Sequence, residues 1–379
     1  MSLVVDEHRE YLSDPVRLDA FRAAIEQAVR PGDVVLDLAS GTGILGLFAC
    51  RAGASRVYSI EATGMMEIAR AIAEANGVAA RVTFVRGVSR HVTLPERVDV
   101  IVCDQIGHFG FEAGLLDDGV DARRRFLKPD GRFVPGRVEL LAAPVQAAPL
   151  HAQVEFWRSR PAGFDCSPAR AWAVNTGYPS SLDRDALLGP AQPIAAFDMR
   201  ETDAGPLSGE IALAIDRPGT LHGIAGWFEA TLAPGVTLTN APTASARLNR
   251  RNVFLPIDRA VDVQAGDLVR VRVYIIPGET ILTWRVIVER GGAVVAESHH
   301  STVHGMLLSR SDLRRTDPRF VPELTARGRA RQSVLELCDG RRRLDEIERE
   351  MVVRHPDLFA SLAEAAVFVG EVVAVYADA

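Results

Sequence analysis

Cysteine is scarce here. The four residues, Cys50, Cys103, Cys166 and Cys338, are far apart and form no C-x-x-C pair. That spacing excludes a zinc ribbon and a disulfide framework, no metal ion is expected, and isolated thiols in a reducing compartment are the plain reading. Long apolar runs are missing too: none approaches the ~18 residues of a membrane-spanning helix. The charged start, Met1 to Arg9, has no apolar signal core, so a cytoplasmic protein is expected. Nor does one sign of charge dominate. Lys and Arg number 43 against 49 Asp and Glu, a net charge of −6 spread along the chain, which gives no electrostatic footprint for wrapping nucleic acid. What is present is a 379-residue chain with 47% hydrophobic residues, enough for two or three domains with filled cores.

The organisation changes along the chain. Residues 1–30 read as a helical lead-in, with Leu12, Val16, Ala20, Ala24 and Ala28 at four-residue spacing. Residues 31–146 alternate strands and helices. The strands are Val34–Leu38, Val57–Glu61, Val82–Arg86, Val98–Cys103, Arg132–Pro135 and Val138–Val145; the helices are Met65–Asn76 and Leu115–Phe126, and Lys128–Gly131 reads as a turn. Such alternation predicts a parallel, doubly wound sheet. Residues 147–305 read as an all-β sandwich or barrel: residues 208–300 hold short alternating segments, Glu210–Ile215, Gly223–Leu232, Leu268–Ile275 and Thr283–Glu289, punctuated by Pro-Gly turns, and residues 151–207 read as a connection with a projecting arm within 155–205. Residues 325–379 turn helical, at Ser333–Cys338, Leu344–Arg354 and Leu362–Tyr376.

The strongest motif is the run Val34-Val35-Leu36-Asp37-Leu38-Ala39-Ser40-Gly41-Thr42-Gly43-Ile44-Leu45-Gly46. A strand ends in a Gly-rich turn and a helix follows, at the carboxyl end where open α/β sheets bind ligands. Glu61, closing the next strand 20 residues after Gly41, suits ribose hydroxyls. Gly41, Gly43 and Gly46 also satisfy the dinucleotide spacing, so the turn alone leaves a nicotinamide cofactor open.

The wider text resembles the protein arginine methyltransferase family. It does so at His8-Arg9-Glu10-Tyr11-Leu12-Ser13-Asp14-Pro15-Val16-Arg17, through the Gly-rich turn, and at Ala52-Gly53-Ala54 and Val57-Tyr58-Ser59-Ile60-Glu61. The likeness continues at Lys128-Pro129-Asp130-Gly131, Ala225-Gly226-Trp227-Phe228 and Asn252-Val253-Phe254. The resemblance implies a Rossmann-like domain that binds S-adenosyl-L-methionine, a β-barrel after it, and a homodimer built through the arm. It places Arg17 on the methionine carboxylate, Asp37, Gly41 and Gly43 along the methionine side, Glu61 on ribose, and Ser89 and Arg90 near adenine. Each has a plainer reading: Arg17 as a surface arginine, Asp37 as a strand-end cap, Glu61 as a solvated acid, Ser89-Arg90 as a surface turn.

The same resemblance implies two glutamates after the fourth strand that hold the arginine guanidinium. In Asp104-Gln105-Ile106-Gly107-His108-Phe109-Gly110-Phe111-Glu112-Ala113 the first place is Asp104, and gapless alignment puts Ala113 in the second, with Glu112 beside it. The stretch Arg247-Leu248-Asn249-Arg250-Arg251 lacks the family's histidine and tryptophan and is cationic. These departures lead to the expectation of a non-guanidine N or O acceptor on a small molecule or peptide, in specialised metabolism. Asp104 would orient that acceptor, His108 would act as general base, and Glu112 would stand in reserve. Asp104 also reads as a strand-end cap, His108 as a packing residue, and Glu112 as a solvated one. The rival readings are a genuine arginine methyltransferase, a non-catalytic scaffold and a nicotinamide enzyme. Finally, Val334–Ile347 resembles the helix-turn-helix of PqqD-like domains, which bind leader peptides; the plainer reading is an accessory bundle.

Overall fold

The computed structural model describes residues 4–377, so the outermost residues of the expected 1–30 and 325–379 segments lie outside the described part. The chain divides into two compact units, one up to Met306 and one from Leu307.

The first unit begins with helices α1 (Val4–Leu12) and α2 (Pro15–Ala28). Asp14 caps α2: its side chain accepts the Arg17 N–H, and Pro15 follows at the first helical position, a pairing that favours a helix start. Then come β1 (Val34–Leu38), α3 (Ile44–Arg51), β2 (Arg56–Glu61), α4 (Met65–Ala75), β3 (Val82–Arg86), β4 (Val98–Cys103), α5 (Leu115–Phe126) and β5 (Leu127–Val134). These five strands form a sheet in the order β3-β2-β1-β4-β5, with every adjacent pair parallel. The expected turn at Lys128–Gly131 is instead part of β5. The pairing with β4 slips between Val98 and Val100, so these four residues form a bulge within the strand rather than its end.

The β domain comprises β6 (Arg137–Val145), α6 (Ala148–Glu155), α7 (Arg170–Ala173), β7 (Tyr178–Ser180), β8 (Gln192–Asp198), β9 (Leu207–Ala214), β10 (Gly219–Ala233), β11 (Val236–Thr239), β12 (Asn252–Val263), β13 (Leu268–Ile276), β14 (Ile281–Arg290) and β15 (Ala293–Ser301). One antiparallel sheet runs β7-β12-β10-β6-β8, with β11 on β10, and the other runs β15-β14-β13-β9. Strand β8 adjoins β9, and β12 adjoins β15, so the two sheets close around a shared interior. Trp284, buried inside it, donates its indole N–H to the Pro256 carbonyl at 2.8 Å; an interior Trp needs such a partner.

The second unit is helical. After α8 (Thr302–Gly305), which ends the first unit, come α9 (Arg310–Arg315), α10 (Ala326–Leu337), α11 (Leu344–Arg354) and α12 (Leu362–Tyr376). The helix expected at Ser333–Cys338 is the last half of the longer α10. Ala330, Val334, Leu337, Ile347, Met351, Phe368 and Val369 form its own apolar core. Among the described residues no helix is long and apolar enough to cross a membrane.

Candidate active site

The strand order aligns the sequence motifs along one edge. The carboxyl ends of β3, β2, β1 and β4 carry Ser89, Glu61, the Gly41–Gly43 turn and Asp104 in spatial succession. The order reverses beside β1, and that switch point is where such sheets open a crevice. A cavity of about 710 Å³ lies there, walled by α1, the Gly-rich turn, the loop after β4 and the loop before β12.

Gly41 and Gly43 have φ of +53° and +74°, left-handed values that a side chain resists. A Cβ on Gly41 would stand 2.4 Å from His8 Cε1, so the bare backbone is what lets α1 close over the turn. Two carboxylates shape this turn from behind. Glu61, buried, accepts the Gly41 N–H on one oxygen and the Thr63 N–H on the other, both at 2.8 Å. Asp37 accepts the Gly46 N–H at 2.8 Å on Oδ2, while its buried Oδ1 has no partner. Burial pushes the Asp37 carboxyl up to about 7; the Gly46 N–H and Arg17 oppose the rise and Glu61 adds to it. Gly41 and Arg17 line the cavity, and Asp37, Gly43 and Glu61 stand behind its wall. Ser89 is buried with its hydroxyl unpartnered. Arg90 pairs with Asp118 at 3.1 Å, and neither it nor Ser89 lines the cavity.

Asp104 is the centre of the opposite side. Its Oδ2 accepts Arg17 Nε at 2.5 Å and lies 3.7 Å from Arg250 Nη2, with side-chain exposures of 9%, 9% and 14% for Asp104, Arg17 and Arg250. Its Oδ1 is buried and has no partner. Tyr11 of α1 lies against both guanidinium groups, its ring centroid 5.6 Å from Arg17 Cζ and 5.9 Å from Arg250 Cζ.

Glu112 faces the cavity together with Ala113. Its carboxylate accepts the backbone N–H of His108 (2.9 Å), Phe109 (2.7 Å) and Phe111 (3.1 Å). Half-buried and bonded to its own loop, it lines the cavity beside Ala113, which gapless alignment puts in the second glutamate's place. His108 Nδ1 lies 3.1 Å from the Arg251 carbonyl. A carbonyl only accepts, so Nδ1 is the donor in this contact.

The sequence reading missed the residues that dock this loop. Asn240 donates to the carbonyls of His108 (2.8 Å) and Arg251 (2.9 Å) and accepts the Phe228 N–H at 3.0 Å, joining both loops to the barrel. Gly226 leaves room for the Phe109 ring, whose edge would stand 2.8 Å from a Cβ there. Asp14, beyond its capping role, accepts the Asn249 N–H at 2.8 Å. The Asp-Pro step marked the cap but carried no signal of the contact with Asn249. Of the basic run, Arg247 bonds the Leu182 carbonyl and does not line the cavity, whereas Arg250 and Arg251 do. No group of metal-binding side chains occurs among the described residues.

Comparison with known proteins follows the same division. A pattern described as "Methyltransferase domain" matches residues 35–131, and one described as "Arginine methyltransferase oligomerization subdomain" matches residues 137–282. An arginine N(omega)-methyltransferase of Streptomyces achromogenes subsp. streptozoticus is 30% identical over 272 residues, covering 70% of this chain and 74% of its own. Protein arginine N-methyltransferase 6 of Xenopus laevis is 29% identical over 280 residues, covering 69% of this chain and 80% of its own. Among solved structures, a Trypanosoma brucei PRMT1 enzyme–prozyme heterotetrameric complex with AdoHcy superposes with a TM-score of 0.70 at 22% identity, over 78% of this chain and 97% of that one.

Proposed function

The chain belongs to the arginine methyltransferase family, and on that premise we propose that it methylates a guanidino nitrogen of arginine. It is an S-adenosylmethionine-dependent methyltransferase, which sets aside the scaffold and the nicotinamide enzyme. The expectation of a non-guanidine acceptor was wrong. It is overturned by relatives that are named arginine methyltransferases and align with about 70% of the chain. Two of its physical premises also fail. Glu112 is on the cavity, and Arg250 is drawn to Asp104 and to the Gly107 carbonyl at 3.3 Å, so its charge is partly met inside the protein.

One observation carries the reading: a carboxylate oxygen, Asp104 Oδ1, buried without a partner in a side chain that lines the cavity. Such an oxygen calls for a donor, and a guanidinium supplies donors in a fork that matches carboxylates. The buried, unpartnered Asp37 Oδ1 and Ser89 hydroxyl, with the bare backbone at Gly41, fit S-adenosylmethionine on the other side. Arg17, Asp37, Gly41, Gly43, Glu61 and Ser89 would hold it, and it supplies an electrophilic methyl carbon on a sulfonium. Guanidinium is a weak nucleophile because its charge is delocalised; Asp104 and Glu112 orient it and favour charge at one nitrogen, and positioning does much of the rest. His108, which lines the same cavity, would take up the proton lost from nitrogen.

A homodimer is supported by the match of residues 137–282 to an oligomerisation subdomain and by exposed Phe156, Trp157, Phe164 and Trp172 in the arm region. For the C-terminal unit, a PqqD-like peptide-binding role is supported by the helix pair α10 and α11 alone, since no strand lies between Thr302 and Thr325. The reading is tested by incubating the protein with methyl-labelled S-adenosylmethionine and arginine, free and within a Gly-Arg-rich peptide. Labelled methylarginine after hydrolysis is the expected product; label in neither acceptor refutes it.

A further inference from the structure

The cavity that holds Asp104 also carries unanswered charge of both signs nearer its mouth. Arg251 is exposed and lines it, and nothing among the described residues bonds or pairs with its guanidinium. On α1, Glu10 lines the same cavity, and its carboxylate likewise has no partner among the described residues. The third member is the buried, unpartnered Asp104 Oδ1. The set therefore runs an unpartnered carboxylate oxygen at the floor, on a side chain whose other oxygen holds Arg17, then a cation on the barrel wall and an anion on the helix wall.

We propose that the acceptor is free arginine, the zwitterionic amino acid, rather than arginine within a polypeptide. This rests on the methyl transfer to arginine proposed above. Free arginine carries the complementary triplet: the guanidinium for Asp104 and Glu112, the α-carboxylate for Arg251, the α-ammonium for Glu10. Arginine inside a chain has neutral amides in the last two places and leaves both wall charges unmatched. A Gly-Arg-rich segment would also bring further cations against Arg251, where like charges repel. A bidentate guanidinium–carboxylate contact suits the Arg251 position. The transfer balances in the usual way. One N–C bond forms as the sulfonium C–S bond breaks, the electron pair stays on sulfur, and the proton lost from nitrogen passes to His108 and then to solvent.

The test is steady-state kinetics of the full chain on four acceptors: free arginine, arginine amide, Nα-acetylarginine and a Gly-Arg-rich peptide. Wild type should prefer free arginine in kcat/KM by tenfold or more over each of the others. Arg251→Met should raise KM for free arginine about tenfold with kcat little changed, and that penalty should vanish on arginine amide, which has no carboxylate to lose. Glu10→Gln should do the same for free arginine, with its penalty vanishing on Nα-acetylarginine. S-adenosylhomocysteine affinity of each variant reports that the site is intact. A peptide turned over as well as free arginine, or an Arg251→Met penalty equal on arginine and its amide, overturns the proposal while leaving arginine methylation standing. Failure on all four acceptors removes both.

Discussion

If Arg250 is held by Asp104 rather than standing as a free cation, the two residues must be energetically coupled. The perturbation is a double-mutant cycle: Asp104→Asn, Arg250→Met, and both together. Asp104 Oδ2 and Arg250 Nη2 are 3.7 Å apart with little exposure on either side chain. Opposite unit charges at that distance attract by about 4 kcal/mol at an effective dielectric near 20 and by about 1 kcal/mol in bulk water. Arg17, also on Asp104 Oδ2, is present in every member of the cycle, so its contribution largely cancels. The coupling should therefore fall between about 1 and 4 kcal/mol, and Asp104→Asn should cost correspondingly less once Arg250 is gone. The assay is urea unfolding followed by tryptophan fluorescence. All four tryptophans, Trp157, Trp172, Trp227 and Trp284, precede Met306, so the signal follows the unit that contains the site and is blind to the C-terminal helices. Single changes that add within about 0.5 kcal/mol, as independent sites do, would refute the pairing and restore Arg250 as an uncompensated cation facing the substrate.

Three further outcomes are expected. Gly41→Ala should weaken S-adenosylhomocysteine binding at least tenfold by calorimetry, because the new Cβ meets His8 at a left-handed φ; His8→Ala in the same chain should recover part of the loss, and unchanged affinity for Gly41→Ala alone would remove the argument. Glu112→Gln should cut kcat/KM for arginine tenfold or more while leaving S-adenosylhomocysteine affinity intact, since an amide NH2 would oppose a backbone N–H now bound by the carboxylate at about 1–3 kcal/mol; equal loss of both would make Glu112 a general scaffold residue. His300 is packed on Trp284 with its pKa lowered from 6.5 to about 4, chiefly by burial. Between those values the unfolded chain holds the extra proton, so the contribution to stability is complete above about pH 6.5 and is lost as pH falls toward 4. His300→Phe should flatten the decline in urea midpoint between pH 7 and pH 5, and an undiminished decline would assign it elsewhere.

The parallel sheet was legible because its strands are short apolar runs between turn residues. Val34–Leu38, Val82–Arg86 and Val98–Cys103 have the expected limits. Lys128–Gly131 misled because turn-forming residues can also form a bulge, and only the pairing with β4 distinguishes them. In the β domain, Gln192–Asp198 and Ala293–Ser301 escaped notice: the latter exposes Val294 and Val295, and an edge strand with little buried surface leaves a weak pattern. The site divides likewise. Asp104 and Gly41 follow from position after a strand. That Glu112 turns back onto three backbone N–H groups, and that Asn240 joins two loops 143 residues apart at His108 and Arg251, depends on contacts that no local pattern encodes. The charge of the 247–251 stretch was visible, but its effect was misjudged, because sequence shows a cation without showing the anion beside it.

Helix α1 supplies Asp6, Glu7, His8, Glu10, Tyr11 and Leu12 to the cavity wall, yet none of its nine residues is buried. A helix so short is not stable by itself in water, and here no apolar anchor compensates. Its amides should therefore exchange with solvent far faster than those of β1 and β4, which are buried at the sheet centre. Fraying of these two and a half turns opens the chamber without disturbing the sheets. Product can then depart at the rate of a local melting event, and the turnover ceiling becomes a property of nine residues without a buried member rather than of the carboxylates that they cover.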